Sequence, residues 1–203
     1  MRIPTFLRVL PPLFLLALTF PACGGKVVVE TGAAGGGGGG PAPSEYNACS
    51  GPGQCVLVSN SCCGTCGTVT LADQAAINIT QGAAFLETVC PEPTPCPACA
   101  SMANPNLFAI CEQGTCRGAD VRTEPESACT TNADCQLRYG TGCCDSCDGA
   151  PWQLVAVSTS SNLSASQCAP GTGCDGCLPQ YPKDAEAICS NGHCQVVFAG
   201  QGG

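Results

Sequence analysis

The chain has 203 residues, 21 of them cysteine, with one Trp, three Tyr, six Phe and a formal charge of −8. Cysteine at about a tenth of a chain so poor in large apolar side chains marks a scaffold held by disulfides, because few apolar groups bury too little surface to offset chain entropy. The acidic balance repels phosphates and anionic headgroups, and so excludes nucleic acid and direct binding to a lipid surface.

Residues 1–22 read as an export signal. Arg2 and Arg8 give a positive start, and the apolar run from Val9 to Phe20 falls short of the ~20 residues of a membrane-spanning helix. Without this segment five basic residues face fifteen acidic ones. The run closes on Leu18-Thr19-Phe20-Pro21-Ala22-Cys23. A small residue followed by Cys resembles the lipobox of bacterial lipoproteins, although Phe20 stands where Leu is commonest and Pro21 where Ser, Ala or Thr is usual. The resemblance implies that Cys23 carries a diacylglycerol thioether and becomes the mature N-terminus. Residues 23–44 hold a six-glycine run, Gly35 to Gly40, and then Pro41-Ala42-Pro43-Ser44. Such a stretch is expected to be a flexible tether that lifts the rest off a membrane.

Apart from Cys23, twenty cysteines remain, an even number, as a disulfide framework requires. They form two sets: Cys49, Cys55, Cys62, Cys63, Cys66, Cys90, Cys96, Cys99, Cys111 and Cys116, then Cys129, Cys135, Cys143, Cys144, Cys147, Cys168, Cys174, Cys177, Cys189 and Cys194. Their spacings run 6, 7, 1, 3, 24, 6, 3, 12, 5 and 6, 8, 1, 3, 21, 6, 3, 12, 5. Agreement in seven of nine spacings makes a tandem repeat of domain size, residues 45–120 and 121–203, with ten cysteines in each copy to close five bridges. Ala109-Ile110-Cys111 matches Ala187-Ile188-Cys189, and Gly114 matches Gly192. Between the copies, Arg122 to Ser127 reads as a short polar linker.

Within each copy the expected fold is a small disulfide-rich α+β module, a short antiparallel sheet with one short helix. Cys55 to Val58 and Cys135 to Tyr139 are β-prone runs, followed by a Cys-Cys-x-x-Cys loop. Ala75 to Ile77 and Leu154 to Val157 form a second strand. Asn78 and Ser158 are suited to N-capping, ahead of helices over Gln81 to Val89 and Asn162 to Gln167. Each copy ends on a hairpin with a two-residue turn, Gln113-Gly114 and Asn191-Gly192, the second being the strongest hairpin dipeptide. In that register Cys111 faces Cys116 and Cys189 faces Cys194. The members of each pair either bridge each other or reach the cysteine-rich loops.

Several motifs carry possible chemistry. Cys63/Cys66 with Cys96/Cys99, and Cys144/Cys147 with Cys174/Cys177, have zinc spacing, but an exported chain favours bridges, and zinc would leave six cysteines per copy to pair. Redox use of Cys-x-x-Cys needs a thiolate stabilised by a helix N-terminus or a nearby cation; the loops hold Gly64-Thr65, Asp145-Ser146, Pro97-Ala98 and Asp175-Gly176, none supplies a cation, and two add a carboxylate that opposes the thiolate. His193, the single histidine, is expected to be an exposed residue beside a turn. Asp145, Asp148 and Asp175 are expected to form a solvated acidic loop rather than a calcium site. Asn78-Ile79-Thr80 and Asn162-Leu163-Ser164 are glycosylation sequons, relevant only in a eukaryote.

The Cys-Cys-x-x-Cys elements at 62–66 and 143–147, and Ile-Cys-x-x-Gly-x-Cys at 110–116 and 188–194, look like those of uncharacterised modules in cysteine-rich surface lipoproteins of Gram-negative bacteria with large genomes. The resemblance implies an exported protein, lipid-anchored at the outer membrane or cell surface, and assigns no activity. The expected function is therefore a non-enzymatic binding or structural module with no catalytic residue, metal or cofactor. It would meet the membrane through its lipid alone, bind an unknown protein or glycan partner and bind no nucleic acid. The alternatives are an inhibitor of secreted proteases, presenting Gly67 to Asp73 or Asp148 to Gln153, and an extracytoplasmic metal-binding or thiol-redox protein.

Overall fold

A computed structural model describes residues 44–200 except Pro93 and Asp175. The expected signal segment, Cys23 and nearly all of the tether lie outside the described residues. The fold is a disulfide-rich α+β arrangement of short antiparallel sheets, with two short helices and ten disulfides. The first copy contains β1 (Cys55–Ser59), β2 (Gly67–Thr68), β3 (Gln74–Asn78), α1 (Gly82–Val89), β4 (Ser101–Met102), β5 (Leu107–Glu112) and β6 (Thr115–Asp120). The second contains β7 (Cys135–Tyr139), β8 (Leu154–Ser158), α2 (Leu163–Gln167), β9 (Ala185–Ser190) and β10 (His193–Phe198). Each copy spreads its strands over two antiparallel pairs, β1–β3 with β5–β6 and β7–β8 with β9–β10.

Local chemistry explains these elements. The two hairpin turns put Gln113 and Asn191 at φ 50° and 53°, and Gly114 and Gly192 at 83° and 82°. Positive φ at both central residues is the type I′ turn, whose twist matches that of the flanking strands. Cys111 lies opposite Cys116 and Cys189 opposite Cys194, the expected register. Strand starts are fixed by an acceptor that folds back on the preceding turn. Gln54 Oε1 accepts from the Ser50 N–H at 2.8 Å before β1, and Asp134 Oδ2 from the Thr130 N–H at 2.8 Å before β7. Asp73 Oδ2 accepts from the Thr70 N–H at 2.8 Å before β3, and Gln153 Oε1 from the Ala150 N–H at 2.7 Å before β8. The copies thus exchange Asp and Gln between two equivalent corners. Asn78 Oδ1 accepts from the Thr80 N–H at 3.0 Å, a cap that leads into α1. The Asn78 amide donates to the Ala48 carbonyl at 2.8 Å, so this sequon asparagine ties two segments of the first copy together.

The sheets stack as layers. Period-two alternation gives each strand two faces. One face of β5–β6 lies on β1–β3, where Gly118 comes so close to Leu57 and Leu71 that a Cβ there would stand 3.2 Å from each. The other face carries Phe108 and Ala119, which join Val121 in a buried cluster with Val155, Val157 and Leu163 of the second copy. β8 is therefore covered on both faces, by Phe108, Ala119 and Val121 on one side and by β9–β10 on the other, and all five of its residues are buried. Polar groups close the same seam. The Thr141 hydroxyl donates to the Leu107 carbonyl at 3.0 Å, and the Gln167 amide donates to the Ala109 carbonyl at 2.9 Å. Both bonds satisfy carbonyls on the outer edge of β5, which would otherwise be an open sheet edge.

The segment between the copies, expected to be short and polar, is built into the fold. Val121–Thr123 and Pro125–Ser127 are 3₁₀ turns, and Val121 and Ser127 are fully buried. Arg117 of β6 grips Glu124 through Nη1–Oε1 at 2.8 Å and Nη2–Oε2 at 3.1 Å, and reaches Glu112 at 2.7 Å. A bidentate guanidinium–carboxylate pair fixes orientation as well as distance. His193 also departs from expectation. It is half-buried, its Nδ1 lies 2.9 Å from the Ser127 hydroxyl, and its backbone bridges Ala128. A polar run and a lone histidine read as surface features because their partners are 66 residues apart in sequence.

Candidate functional site

The cysteines come first because they fix the loops. In the first copy the bridges are Cys49–Cys111, Cys55–Cys116, Cys62–Cys90, Cys63–Cys96 and Cys66–Cys99. In the second they are Cys129–Cys189, Cys135–Cys194, Cys143–Cys168, Cys144–Cys174 and Cys147–Cys177. In each set the first cysteine pairs with the ninth, the second with the tenth, the third with the sixth, the fourth with the seventh and the fifth with the eighth. No bridge joins the copies among the described residues. The hairpin cysteines thus reach back to the start of their own copy.

The two Cys-x-x-Cys motifs of each copy are crosslinked to each other, first to first and second to second. The chain segments must then run side by side in one direction. In the first copy this shows as a parallel ladder, Gly67 opposite Ser101 and Thr68 opposite Met102. A thiol-redox motif closes a bridge within its own Cys-x-x-Cys, and these do not. The sulfurs of Cys143, Cys144, Cys168 and Cys174 all lie within 4.8 Å of one another, with Cys143 and Cys144 at 3.7 Å. All four are spent in two adjacent bridges, which leaves no thiolate for a metal.

The stretches expected of an inhibitor are short and turned. Gly67–Thr68 lies in β2, and Leu71–Asp73 and Pro151–Gln153 are 3₁₀ turns. Trp152, the single tryptophan, is 65% exposed on the second of these turns.

The main concentration of buried charge lies in the second copy beside its Cys-Cys-x-x-Cys loop. Arg138 occupies a strand position held by Val58 in the first copy, and it is 9% exposed. Its Nε donates to the Gly140 carbonyl at 3.1 Å, Nη1 to Ser164 Oγ at 3.0 Å, and Nη2 to the carbonyls of Gly142 and of Cys143, the last at 3.1 Å. Burial pushes its pKa below the usual guanidinium range, opposed by the nearby Asp145 charge. Asp145 is not a solvated loop residue as expected: Oδ1 accepts from the Tyr139 N–H at 2.8 Å and Oδ2 from the Tyr181 hydroxyl at 2.7 Å. Burial, then that bond to the carboxylate, raises the Tyr181 pKa well above the phenol range. Tyr139 stacks at a tilt on Tyr181, centroids 5.2 Å apart, and donates its hydroxyl to the Gln180 carbonyl at 2.7 Å. Gly149 is required here, because a Cβ would stand 2.1 Å from Tyr139 Cδ1. Asp148 is exposed, and Asp175 lies outside the described residues.

Arg138, Asp145 and Tyr181 border a cleft of about 160 Å³, together with Gln136, Leu137, Val157, Ser161, Leu163 and Ser164. Sequence reasoning missed Arg138 and Tyr181. The available signal was the one-residue difference between the Cys55–Cys62 and Cys135–Cys143 spacings. The longer loop carries Gly140, at φ 71°, and Gly142, and its free carbonyls are what Arg138 holds. No helix among the described residues is long and apolar enough to cross a membrane. No protein-family model matches the chain, and no curated protein and no solved structure matches it either.

Proposed function

We propose that this chain is an exported protein, lipid-anchored through Cys23 at the outer membrane or cell surface, in which a rigid disulfide frame presents a non-enzymatic binding surface. The observation that carries the reading is the same five-bridge pattern closed twice. A frame crosslinked at that density holds its loops in one geometry, and preordered loops bind with less loss of conformational entropy. The hydroxyls and charges around Arg138 support binding over catalysis, since Asp145, Tyr181 and Ser164 already bond within the protein. The Ser127–His193 pair is no counterexample, because Ser127 has no exposed surface on which to meet a substrate.

Protease inhibition is the second reading, and the exposure of Trp152 on the Asp148 to Gln153 stretch favours it. Against it stands the 3₁₀ turn there, since recognition by strand addition takes an extended segment. Metal or thiol chemistry ranks third, with every described cysteine bridged.

Replacing Cys23 by Ser tests the anchor. The variant is expected to leave the membrane fraction and to lose labelling by palmitate, while the oxidised modules still fold. Equal membrane association of Cys23→Ser would remove the lipoprotein reading. Tight binding of a secreted protease by the intact protein would promote the second reading over the first.

A further inference from the structure

The cleft beside Arg138 narrows the class of ligand, and this inference rests on the binding-module reading above. We propose that it is a subsite for a single uncharged, hydroxylated ring: one saccharide unit of a glycan.

Three observations lead there. The first is charge. Arg138 and Asp145 both border the cleft and cancel, so neither an anion nor a cation is drawn in by net charge. Arg138 is also largely committed. Four of the five N–H groups of a guanidinium are accounted for by Gly140, Ser164, Gly142 and Cys143. A carboxylate or phosphate ligand binds an arginine through two parallel N–H bonds, and Arg138 has no such pair left. The cleft therefore rejects the anions that an arginine normally selects.

The second is the balance of donors and acceptors. Asp145 accepts one bond on each oxygen, and each oxygen keeps a further lone pair. Ser161 accepts from the Leu163 N–H at 3.2 Å and Ser164 accepts from Arg138, so each hydroxyl still has its proton to donate. Gln136 is exposed and makes only a 3.5 Å contact with the Ser158 carbonyl, so its amide offers both a donor and an acceptor. Several donors and acceptors around a neutral space match a ligand whose every hydroxyl both donates and accepts.

The third is size and wall. A cleft of about 160 Å³ holds one small ring and no drug-sized ligand. Val157 and Leu163 lie beneath the cleft but are buried, so the apolar surface it offers to the C–H face of such a ring comes from the partly exposed Leu137 and Tyr181. In the first copy Val56 and Val58 stand where Gln136 and Arg138 stand in the second, and they pack against that copy's own core. The subsite therefore belongs to the second copy alone.

The test is titration of the ¹⁵N-labelled, oxidised mature protein with methyl glucoside, methyl galactoside and N-acetylglucosamine, with acetate and glycine in parallel. At least one sugar is expected to move the amide signals of Gln136, Asp145, Ser161, Ser164 and Tyr181 saturably, with a Kd of about 1–10 mM for a one-ring ligand. Gln136→Leu, a change at an exposed position whose own spectrum reports folding, should weaken that binding about tenfold. Full-strength binding by Gln136→Leu would overturn the proposal. So would tighter saturation by acetate or glycine, which would make the cleft a carboxylate site. Sugar shifts confined to other residues would overturn this subsite and leave the binding-module reading standing. Silence from all three sugars would overturn the saccharide assignment itself.

Discussion

Phe108→Ala separates two descriptions of this molecule: two modules that fold alone, or two covalent frames on one core. Phe108 is 4% exposed, and it lies on β5 of the first copy while Val155, Val157 and Leu163 across from it belong to the second. A buried aromatic side chain removes about 150–250 Å² from water, or ~4–6 kcal/mol at 25 cal/mol/Å² as an upper bound. Core Phe→Ala changes cost ~3–5 kcal/mol, cavity included. At ~4 kcal/mol, and 1.4 kcal/mol per factor of ten, amides that exchange through opening of this core should exchange about 10³-fold faster. The assay is native-state hydrogen exchange with all disulfides intact, read separately on the two sides of the seam. If the core is one unit, protection falls in β5 and β6 and equally in β8 and around Leu163. Phe85→Ala serves as the comparison, because Phe85 packs with Ala75, Ile77 and Tyr46 inside the first copy. A loss confined to residues 107–121 in Phe108→Ala, with 154–163 unchanged, would refute the shared core.

Peptide mapping of the non-reduced protein should return the same five pairings in both copies; a Cys63–Cys66 peptide, or any bridge between copies, would contradict the frame. Elemental analysis of the oxidised protein should find no stoichiometric zinc, and a chelator should leave its circular dichroism unchanged while a reductant unfolds it. Two zinc ions per chain would move the protein to the metal-binding class. Asp134 should titrate near pH 2 by carboxyl NMR, because backbone and side-chain bonds from Thr130, then the Thr131 N–H, favour its ionised form. Its folded pKa lies below the unfolded value of about 3.9, so its contribution is present above about pH 4 and is lost as pH falls through about 2. Thr130→Ala should raise that midpoint, and an unshifted midpoint would count against the cap. Arg138→Met strips the donors from three loop carbonyls and should cost about 1–3 kcal/mol in denaturant, more if the loop stays dry; an unchanged midpoint would mean that solvent already serves those carbonyls.

The parts that sequence made legible are those fixed by neighbours along the chain. The β-prone runs Cys55 to Val58 and Leu154 to Val157, the turn residues Gln113-Gly114 and Asn191-Gly192, and helices ending at Cys90 and Cys168 are local decisions, and the structure has them. Cysteine spacing announced the repeat but not the pairing, because Cys49 and Cys111 are 62 residues apart and nothing near either names the other. The site was harder still. By alternation Arg138 and Gln136 fall on the strand face opposite Leu137 and Tyr139. Gln136 stays exposed there, whereas Arg138 is buried under Ser164 and the 140–143 loop of its own copy. An arginine on a strand beside a glycine-rich loop reads as surface until that loop is seen to fold back on it.

The stack also explains why the two copies are not interchangeable. Each copy has a receiving face, formed by its second strand and its helix, and a donating face on the outside of its last hairpin. In the middle of the stack the first copy's Phe108 and Val121 meet the second copy's Val155, Val157 and Leu163. On the first copy Tyr46 covers the equivalent Ala75, Ile77 and Phe85. It does so edge to face on Phe85 at 5.5 Å, with its hydroxyl 2.8 Å from Thr88 Oγ1. At the other end the positions matching Phe108 and Val121 are Glu186 and Ala199, both exposed. Stacked repeats need polar or covered faces at their ends to stay soluble. Tyr46 covers one end and Glu186 places a charge on the other. The bridges fix each layer, and these few substitutions decide which layers touch.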